Sequence, residues 1–231
     1  MAQSNAAAAD TSAAEGYGSA GYRGYVLGAL LLVYVFNFID RTIVNILTEP
    51  IKTSFGLEDW QMGLLGGPAF AVLYTFLGIP IARLAERHNR VLIIAAAVAI
   101  WSLFTALCGF AASFLALFLF RIGVSIGEAG CTPPAQSLIA DYFKPASRAT
   151  AVSIYALGVP LGGMLASLFG GQLAGLDGAA FGAWINGMGL GWMFGSLDWS
   201  TVEGWRVAFV VVGLPGLLLS LLVWRTVAEP P

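Results

Sequence analysis

RIGVSIGEAG, residues 121 to 130, sets an arginine and, seven positions on, a glutamate inside an apolar run. Phe114 to Phe120 lead into it and Pro133 to Ala140 follow it. A charge deep in hydrocarbon costs roughly 3 kcal/mol or more, so it persists there with a partner or a task. Whether the run is a membrane span decides what the two charges mean. The bulk composition answers that. The chain of 231 residues is 58% hydrophobic and 10% charged, with a mean hydropathy of +0.80. A soluble domain carries about 25% charged residues. A surface this poor in charge is solvated by lipid, so the class is an all-α membrane protein.

A spanning helix needs about 20 mostly apolar residues. The stretches near 25–47, 60–82, 91–111, 115–139, 149–172 and 206–224 meet that, which predicts six transmembrane helices. Asp59 is the expected N-cap of the second. Residues 1–23, rich in Ala, Ser and Gly, lack the positive start and apolar core of a secretory signal and read as a disordered cytoplasmic tail. The bundle occupies 24–225, and 226–231 reads as the start of a linker. With the N-terminus in the cytoplasm, Arg23, Arg83, Arg87, Arg90, Lys144, Arg148 and Arg225 fall inside. Only Lys52 and Arg206 fall outside. That imbalance satisfies the positive-inside rule. The stretch 173–204 is apolar and Gly-rich. A seventh span is one reading of it; an extended outer loop at the interface is the favoured one. Its glycines make a poor helix, and Trp184, Trp192 and Trp199 suit the interface.

Several function classes drop out. The single histidine, His88, is too few for a zinc site, and no metal site is expected. Cys108 and Cys131 lie in apolar runs and read as small core residues rather than a disulfide. Nothing points to nucleic acid. Gly123-Val-Ser125-Ile-Gly127 matches the hydrolase elbow G-x-S-x-G, but that motif needs a preceding strand and a nearby histidine and acid. Small residues for helix packing explain it, and no enzyme is expected.

The buried charges carry the chemistry. Asp40, Arg41, Arg121 and Glu128 lie within predicted spans, and fully ionised they sum to zero. At about 1.5 Å per residue, Asp40 and Arg121 each lie roughly 10 Å from the outer ends of their helices, level enough to pair. Arg121, Ser125 and Glu128 share one helix face at i, i+4 and i+7, a face expected to line a polar cavity between helices one and four. Protonating Glu128 leaves the cluster at +1 and releases an arginine, a physical basis for coupling proton binding to a change of shape. A static quartet that holds helices in register is the other reading. Gly158, Gly162, Ala166 and Gly170 form a smooth stripe on helix five where another backbone can approach, and Pro160 is the expected bend.

Three motifs carry a family resemblance. ARLAERHNR, residues 82 to 90, resembles the Gly-x-Leu-x-Asp-Arg-x-Gly-Arg loop of the major facilitator superfamily, with Leu84, Arg87 and Arg90 matching and Glu86 in place of the Asp. Arg121-Ile-Gly-Val-Ser-Ile-Gly resembles its helix-four motif, and Gly158-Val-Pro160-Leu-Gly162-Gly163 its helix-five motif. NFIDR at 37–41, GEAGCTPPAQSLIADYF at 127–143 and RATAVSIYALGVPLG at 148–162 are similar to the spinster-like branch. The resemblance implies the N-terminal six-helix half of that fold, itself a 3+3 inverted repeat, a construction the general rules for such transporters describe. It implies an inner gate at Arg83, Glu86, Arg87, Arg90, Asp141 and Arg148. It implies proton linkage at Asp40 and Glu128, with Arg41, Arg121 and Ser125 in the network, and helix-five packing and bending at Gly158, Pro160, Gly162 and Gly163.

The function implied is secondary active transport of a lipid-like or amphipathic small molecule, with the proton as coupling ion and no other cofactor. The expected setting is multi-pass in a bacterial inner membrane among lipids. Phe36, Tyr74 and Tyr155 are candidates to line an acyl-chain pocket or are ordinary packing residues. Alternating access needs a second six-helix half, in the same chain or as a dimer partner. The alternatives are a non-transporting half or membrane interaction protein, and a drug or metabolite exporter of another branch.

Overall fold

Gly67-Pro68 and Val159-Pro160 are the sequence features that shape the helices most. The computed structural model describes residues 16–175, 178–189, 191–193 and 198–231. All regular structure among them is helical. In chain order the helices are α1 (Ala20–Ile46), α2 (Thr48–Phe55), α3 (Asp59–Gly66), α4 (Pro68–Ala85), α5 (Arg90–Cys108) and α6 (Phe114–Ala129). Then come α7 (Thr132–Tyr142), α8 (Pro145–Ala156), α9 (Gly158–Ala174), α10 (Gly178–Gly187) and α11 (Gly204–Thr226). Five stretches, Ala20–Ile46, Arg90–Cys108, Phe114–Tyr142, Pro145–Gln172 and Gly204–Thr226, are long and apolar enough to cross a membrane.

The second crossing is broken. The expected single helix over 60–82 is α3 followed by α4, because the residue before a proline is pushed out of the helical region. Gly67 sits at φ −103°, ψ −129° there. Its start is also one residue earlier than expected. Glu58 is the cap, in a reciprocal capping box with Gln61, while Asp59 pairs with Lys52 at 2.5 Å. Counting α3–α4 as one broken crossing gives the expected six. The fifth crossing breaks at Leu157, one turn before Pro160. A proline ring clashes with the carbonyl of residue i−4, here Ala156, so the bend falls upstream of Pro160 itself.

The stretch after α9 is shorter in reach than a span. α10 has ten residues, about 15 Å at 1.5 Å per residue, half the thickness of a hydrocarbon core. α10 is by itself too short for the seventh span, and part of the stretch expected as an outer loop is helical. Gly178 and Gly182 let the α10 backbone lie directly on Trp199 and Val202, and that contact overrides the poor helix propensity of glycine. Asp177 lies outside the described residues.

Small residues bring the long helices together. Gly123 and Gly127 of α6 and its C-cap Gly130 lie against Phe104, Trp101 and Ala97 of α5. Gly213 and Gly216 of α11 lie against Ala106 and Ser102 on the same helix, so α5 is held from two sides. The serine of G-x-S-x-G thus sits mid-helix between two packing glycines. On α9, Gly158, Gly162 and Gly170 receive Tyr34, Phe38 and Ile46 of α1, and Ala166 is buried. Gly163, expected to share that packing role, faces open space instead. It is out of phase with the i+4 stripe.

Two apolar clusters fill the bundle. One gathers Leu30, Val33, Trp101, Val124, Leu138 and Tyr155. The other gathers Ile43, Leu47, Cys108, Leu117, Trp205 and Phe209. Asp40, Thr105 and Arg121 fall at the seam between them on α1, α5 and α6. Cys108 and Cys131 are buried and free.

The two ends of the bundle differ. At the end bearing the Arg83–Arg90 loop, called here the charged end, residues 16–23 are ordered, which corrects the disordered reading for that part of 1–23. Ser19 caps α1 by accepting the N–H of Tyr22 at 3.3 Å. The Tyr17 N–H donates to the Asp141 carbonyl at 3.3 Å, and the rings of Tyr17 and Tyr142 meet edge to face. Residues 1–15 lie outside the described residues. At the other, distal end, Glu203 accepts from Ser54 Oγ at 2.8 Å, Arg206 Nε at 2.9 Å and Trp205 Nε1 at 3.1 Å, tying α2 to α11. Partial burial pushes the Glu203 carboxyl up, but those hydrogen bonds outweigh it and hold it below its usual range.

Two predictions follow from this packing. A side chain on Gly127 would meet the Trp101 backbone nitrogen and the Ala97 carbonyl, neither of which can swing aside. Gly127→Val should therefore cost about 1–3 kcal/mol in a detergent thermal melt, while Gly163→Ala should leave the melt unchanged or raise it. A carboxyl with a depressed folded-state pKa contributes fully above its ordinary value of 4.5 and loses that contribution as pH falls through the folded value. Protection of the α2 amides, corrected for intrinsic exchange, should fall as pH drops below 4.5 and should be reduced at neutral pH in Glu203→Gln.

Candidate functional site

Asp40 and Arg41 are consecutive on α1, so their side chains leave the helix about 100° apart and reach different partners. Asp40 turns into the bundle. Its Oδ2 accepts from Arg121 Nη1 at 3.0 Å and its Oδ1 from Thr105 Oγ1 at 2.6 Å. Asp40 and Arg121 are buried, at 1% and 3% exposure. The level pairing expected from helix depth is therefore present. Thr105 is an addition the sequence did not single out, since a lone threonine in an apolar helix carries no signal until its neighbour is known.

Arg41 reaches along α6 instead. Its Nε lies 2.5 Å from Glu128 Oε2, with its guanidinium 4.5 Å from the Tyr74 ring centre and 5.4 Å from that of Phe38. Rings at that range stabilise a cation by about 0.5–2 kcal/mol. Glu128 is fully buried, while 28% of the Arg41 side chain is exposed. The second Glu128 oxygen, Oε1, accepts no hydrogen bond among the described residues. A buried acceptor left so costs about 1–3 kcal/mol. It is the one oxygen of the two carboxylates with no hydrogen-bond partner among the described residues.

A cavity of about 310 Å³ borders this network. Arg41 and Asn45 of α1, Tyr74 and Thr75 of α4, Arg121 and the Gly66–Gly67 break line it. The broken second crossing thus shapes the site. The expected cavity between helices one and four has α4 as its far wall. Ser125 and Glu128, expected to line it, are fully buried beneath it, and only the two arginines of the quartet reach its surface. Of the three aromatic candidates, Tyr74 lines the cavity. Tyr155 stacks on Tyr34 at 4.5 Å and is buried, and Phe36 packs on the core.

At the charged end the expected gate residues divide into two groups. Arg90 Nη1 pairs with Asp141 at 2.5 Å and also donates to Ser137 Oγ at 2.9 Å. Its Nε pairs with Glu229 at 2.6 Å, and Glu229 Oε2 accepts the Val91 N–H at 3.0 Å at the start of α5. Arg148 donates to the Ala140 carbonyl at 2.6 Å. Arg83, Glu86 and Arg87 are exposed and make no ion pair among the described residues. The acids that Arg90 meets here are Asp141 and Glu229. Glu229 was missed in the sequence because it lies beyond the last apolar segment. The cue was an acid in TVAEPP, on the same side as the basic loop. The segment carrying it is fastened: Tyr142 Oη donates to the Ala228 carbonyl at 2.6 Å, and the Ala228 N–H donates to Tyr22 Oη at 2.7 Å. Among the described residues no three His, Cys, Asp or Glu side chains gather as a metal site.

Comparison with known proteins places this geometry. Residues 30–231 match the Major Facilitator Superfamily. The chain is 34% identical over 197 residues to an MFS-type efflux pump of Mycolicibacterium smegmatis, covering 85% of this chain and 40% of that protein. It is 30% identical over 214 residues to protein spinster homolog 1 of Xenopus laevis, covering 91% of this chain and 36% of that protein. A crystal structure of a bacterial homologue of the human lysosomal transporter spinster, inward-facing and unoccupied, superposes with a TM-score of 0.90 at 57% identity. That match covers 93% of this chain and 45% of the other. The chain thus spans less than half the length of the relatives it matches.

The Asp40–Arg121 pair is buried, with only the arginine bordering the cavity, so removing one partner strands a buried charge at a cost of about 3–5 kcal/mol. Asp40→Leu should melt far below the unchanged protein, and Asp40→Leu with Arg121→Leu should recover most of the loss. Unfolding in lipid nanodiscs measures both, and a double variant no better than the single one would remove the pair as the anchor of α1 on α6.

Proposed function

This chain belongs to the major facilitator superfamily, and on that premise we propose that it is the N-terminal six-helix half of a proton-coupled secondary transporter for a lipid-like, amphipathic small molecule. The observation that carries the proposal is the Arg41–Glu128 pair, half open to the 310 Å³ cavity and with Glu128 Oε1 unengaged. A proton taken up at Oε1 neutralises Glu128 and leaves the four-group network at +1. Arg41 then loses its counter-charge at Glu128, with the rings of Tyr74 and Phe38 still beside it. Its guanidinium lines the cavity, where it meets the polar head of a substrate or shifts α1 against α4. Asp40, with both oxygens already hydrogen-bonded, holds α1 to α6 through that exchange. The inner gate closes through Arg90, Asp141 and Glu229, with Arg83, Glu86 and Arg87 exposed for a second six-helix half.

The substrate class rests on the spinster-type relatives, and the setting in a bacterial cytoplasmic membrane on the positive-inside pattern. The efflux pump at 34% identity favours a second reading, export of an amphipathic drug or metabolite through the same site. Both use the same proton step.

The test uses the protein as its gene encodes it, reconstituted in proteoliposomes with a fluorescent lysophospholipid as substrate probe. Glu128→Gln should lower uptake driven by a proton gradient by about five- to 150-fold, the span of a coupling free energy of ~1–3 kcal/mol. Exchange of probe across the membrane without a gradient should survive. Gradient-driven uptake equal to that of the unchanged protein would refute the assignment of Glu128. A dye efflux panel in the same vesicles separates the two substrate readings.

A further inference from the structure

At the distal end a second cavity, of about 270 Å³, lies between α10, the short turn at Trp199 and the flank of α11. Phe181 and Ile185 of α10, Trp199, Phe110, and Val210 and Leu214 of α11 wall it, and Arg206 is the one charged residue among its described lining. It is separate from the charge quartet, which lies among α1, α4 and α6.

Its depth and its mouth identify the occupant. The lining on α11 runs from Arg206 to Leu214, about 12 Å along the helix at 1.5 Å per residue. α11 starts at Gly204, and one leaflet of hydrocarbon is about 15 Å deep, half of a ~30 Å core. The cavity therefore runs from the interface down through most of one leaflet. Phe110 and Leu214 at its mouth are exposed, and Leu218 and Leu222 carry the same exposed stripe down α11. It opens onto the lipid-facing surface rather than into water. Apolar walls do not hold water, and an empty void of this size forfeits the dispersion contacts of its lining. At the top, Arg206 is held rigidly by Glu203 and by the Gly109 and Ala111 carbonyls, and stacks 4.3 Å from the Trp205 ring centre. Trp184 and Trp192 on the α10 side are exposed, and tryptophan favours the interfacial level of a bilayer.

We propose that this cavity is a lipid site: one acyl chain of a bilayer phospholipid lies under α10 against α11, with its phosphate at the level of the Arg206 guanidinium. The bound chain fastens the α10 segment to the membrane and completes the packing of the distal end.

The test is photo-crosslinking in proteoliposomes with a phosphatidylglycerol bearing a diazirine midway along one tail. Mass spectrometry should find label on peptides carrying Phe181–Ile185 and Val207–Leu214. Val210→Trp, which fills the cavity, should cut that label about tenfold, equivalent to about 1.4 kcal/mol, and leave label on the Leu218–Leu222 face unchanged. Leu214→Phe, at the exposed rim where a ring is easily accommodated, should act in the same direction if Val210→Trp folds poorly. Label confined to the Leu218–Leu222 face, or pocket label indifferent to both variants, would overturn the proposal. So would pocket label obtained only with the same diazirine on a single-tailed lysophospholipid, which would mark the cavity as a station for transported amphiphile.

Discussion

An ion pair inside a bundle surrounded by hydrocarbon has no water to fall back on, so each charge must find its partner at helix-packing distance or go. Asp40 with Arg121 and Arg41 with Glu128 meet that requirement by fixing α1 against α6 in one register. The rest of the bundle serves the same geometry. Gly123 and Gly127 let α6 settle on α5, which brings Thr105 within 2.6 Å of Asp40. Gly158 and Gly162 let α9 settle on the opposite side of α1. A larger residue at any of these glycines would move the helix that carries a charge, and with it the distance that makes the charge tolerable.

The two pairs are chemically unequal although their residue types match. Asp40 has both oxygens occupied and is sealed between two apolar clusters. Glu128 has one oxygen engaged, and its cation is partly open to a cavity. The inequality arises from the consecutive placement of Asp40 and Arg41, which sends one inward and the other toward the broken α3–α4 crossing. On the proposed reading the first pair anchors and the second responds, so that one proton changes the hold of α1 without dissolving the bundle.

The ends of the bundle are closed by different physics. At the charged end, Arg90 gathers Asp141 and Glu229, and Glu229 also accepts from the start of α5, where the helix dipole favours an anion. Thr226 and Ala228 are bonded to Tyr22 and Tyr142, so the segment after α11 is part of the bundle wall. At the distal end, Glu203 and Arg206 tie α2, α5 and α11 together, and α10 rests on Trp199 through glycines. The first end is polar and dense with charge. The second carries fewer charges and has an apolar cavity beside α11.

Much was legible in the residues. Apolar runs of spanning length give the six crossings, since a membrane helix must satisfy its backbone internally and hide it behind apolar side chains. The four buried charges stand out because each is costly, and helix depth alone makes Asp40 level with Arg121. The i+4 spacing of Gly158, Gly162 and Gly170 marks a packing face before any partner is known. Tertiary structure decided the rest. It decided that Arg41 takes Glu128, that α4 closes the cavity, and that Ser125 lies beneath it. It decided too that Glu229 and Asp141 hold Arg90, and that Gly163 faces open space. Each depends on the rotation of a helix about its axis or on the fold-back of a distant segment. Hydrophobicity along one helix sets what must leave water. Which neighbour a side chain then meets is set by the packing of several helices at once.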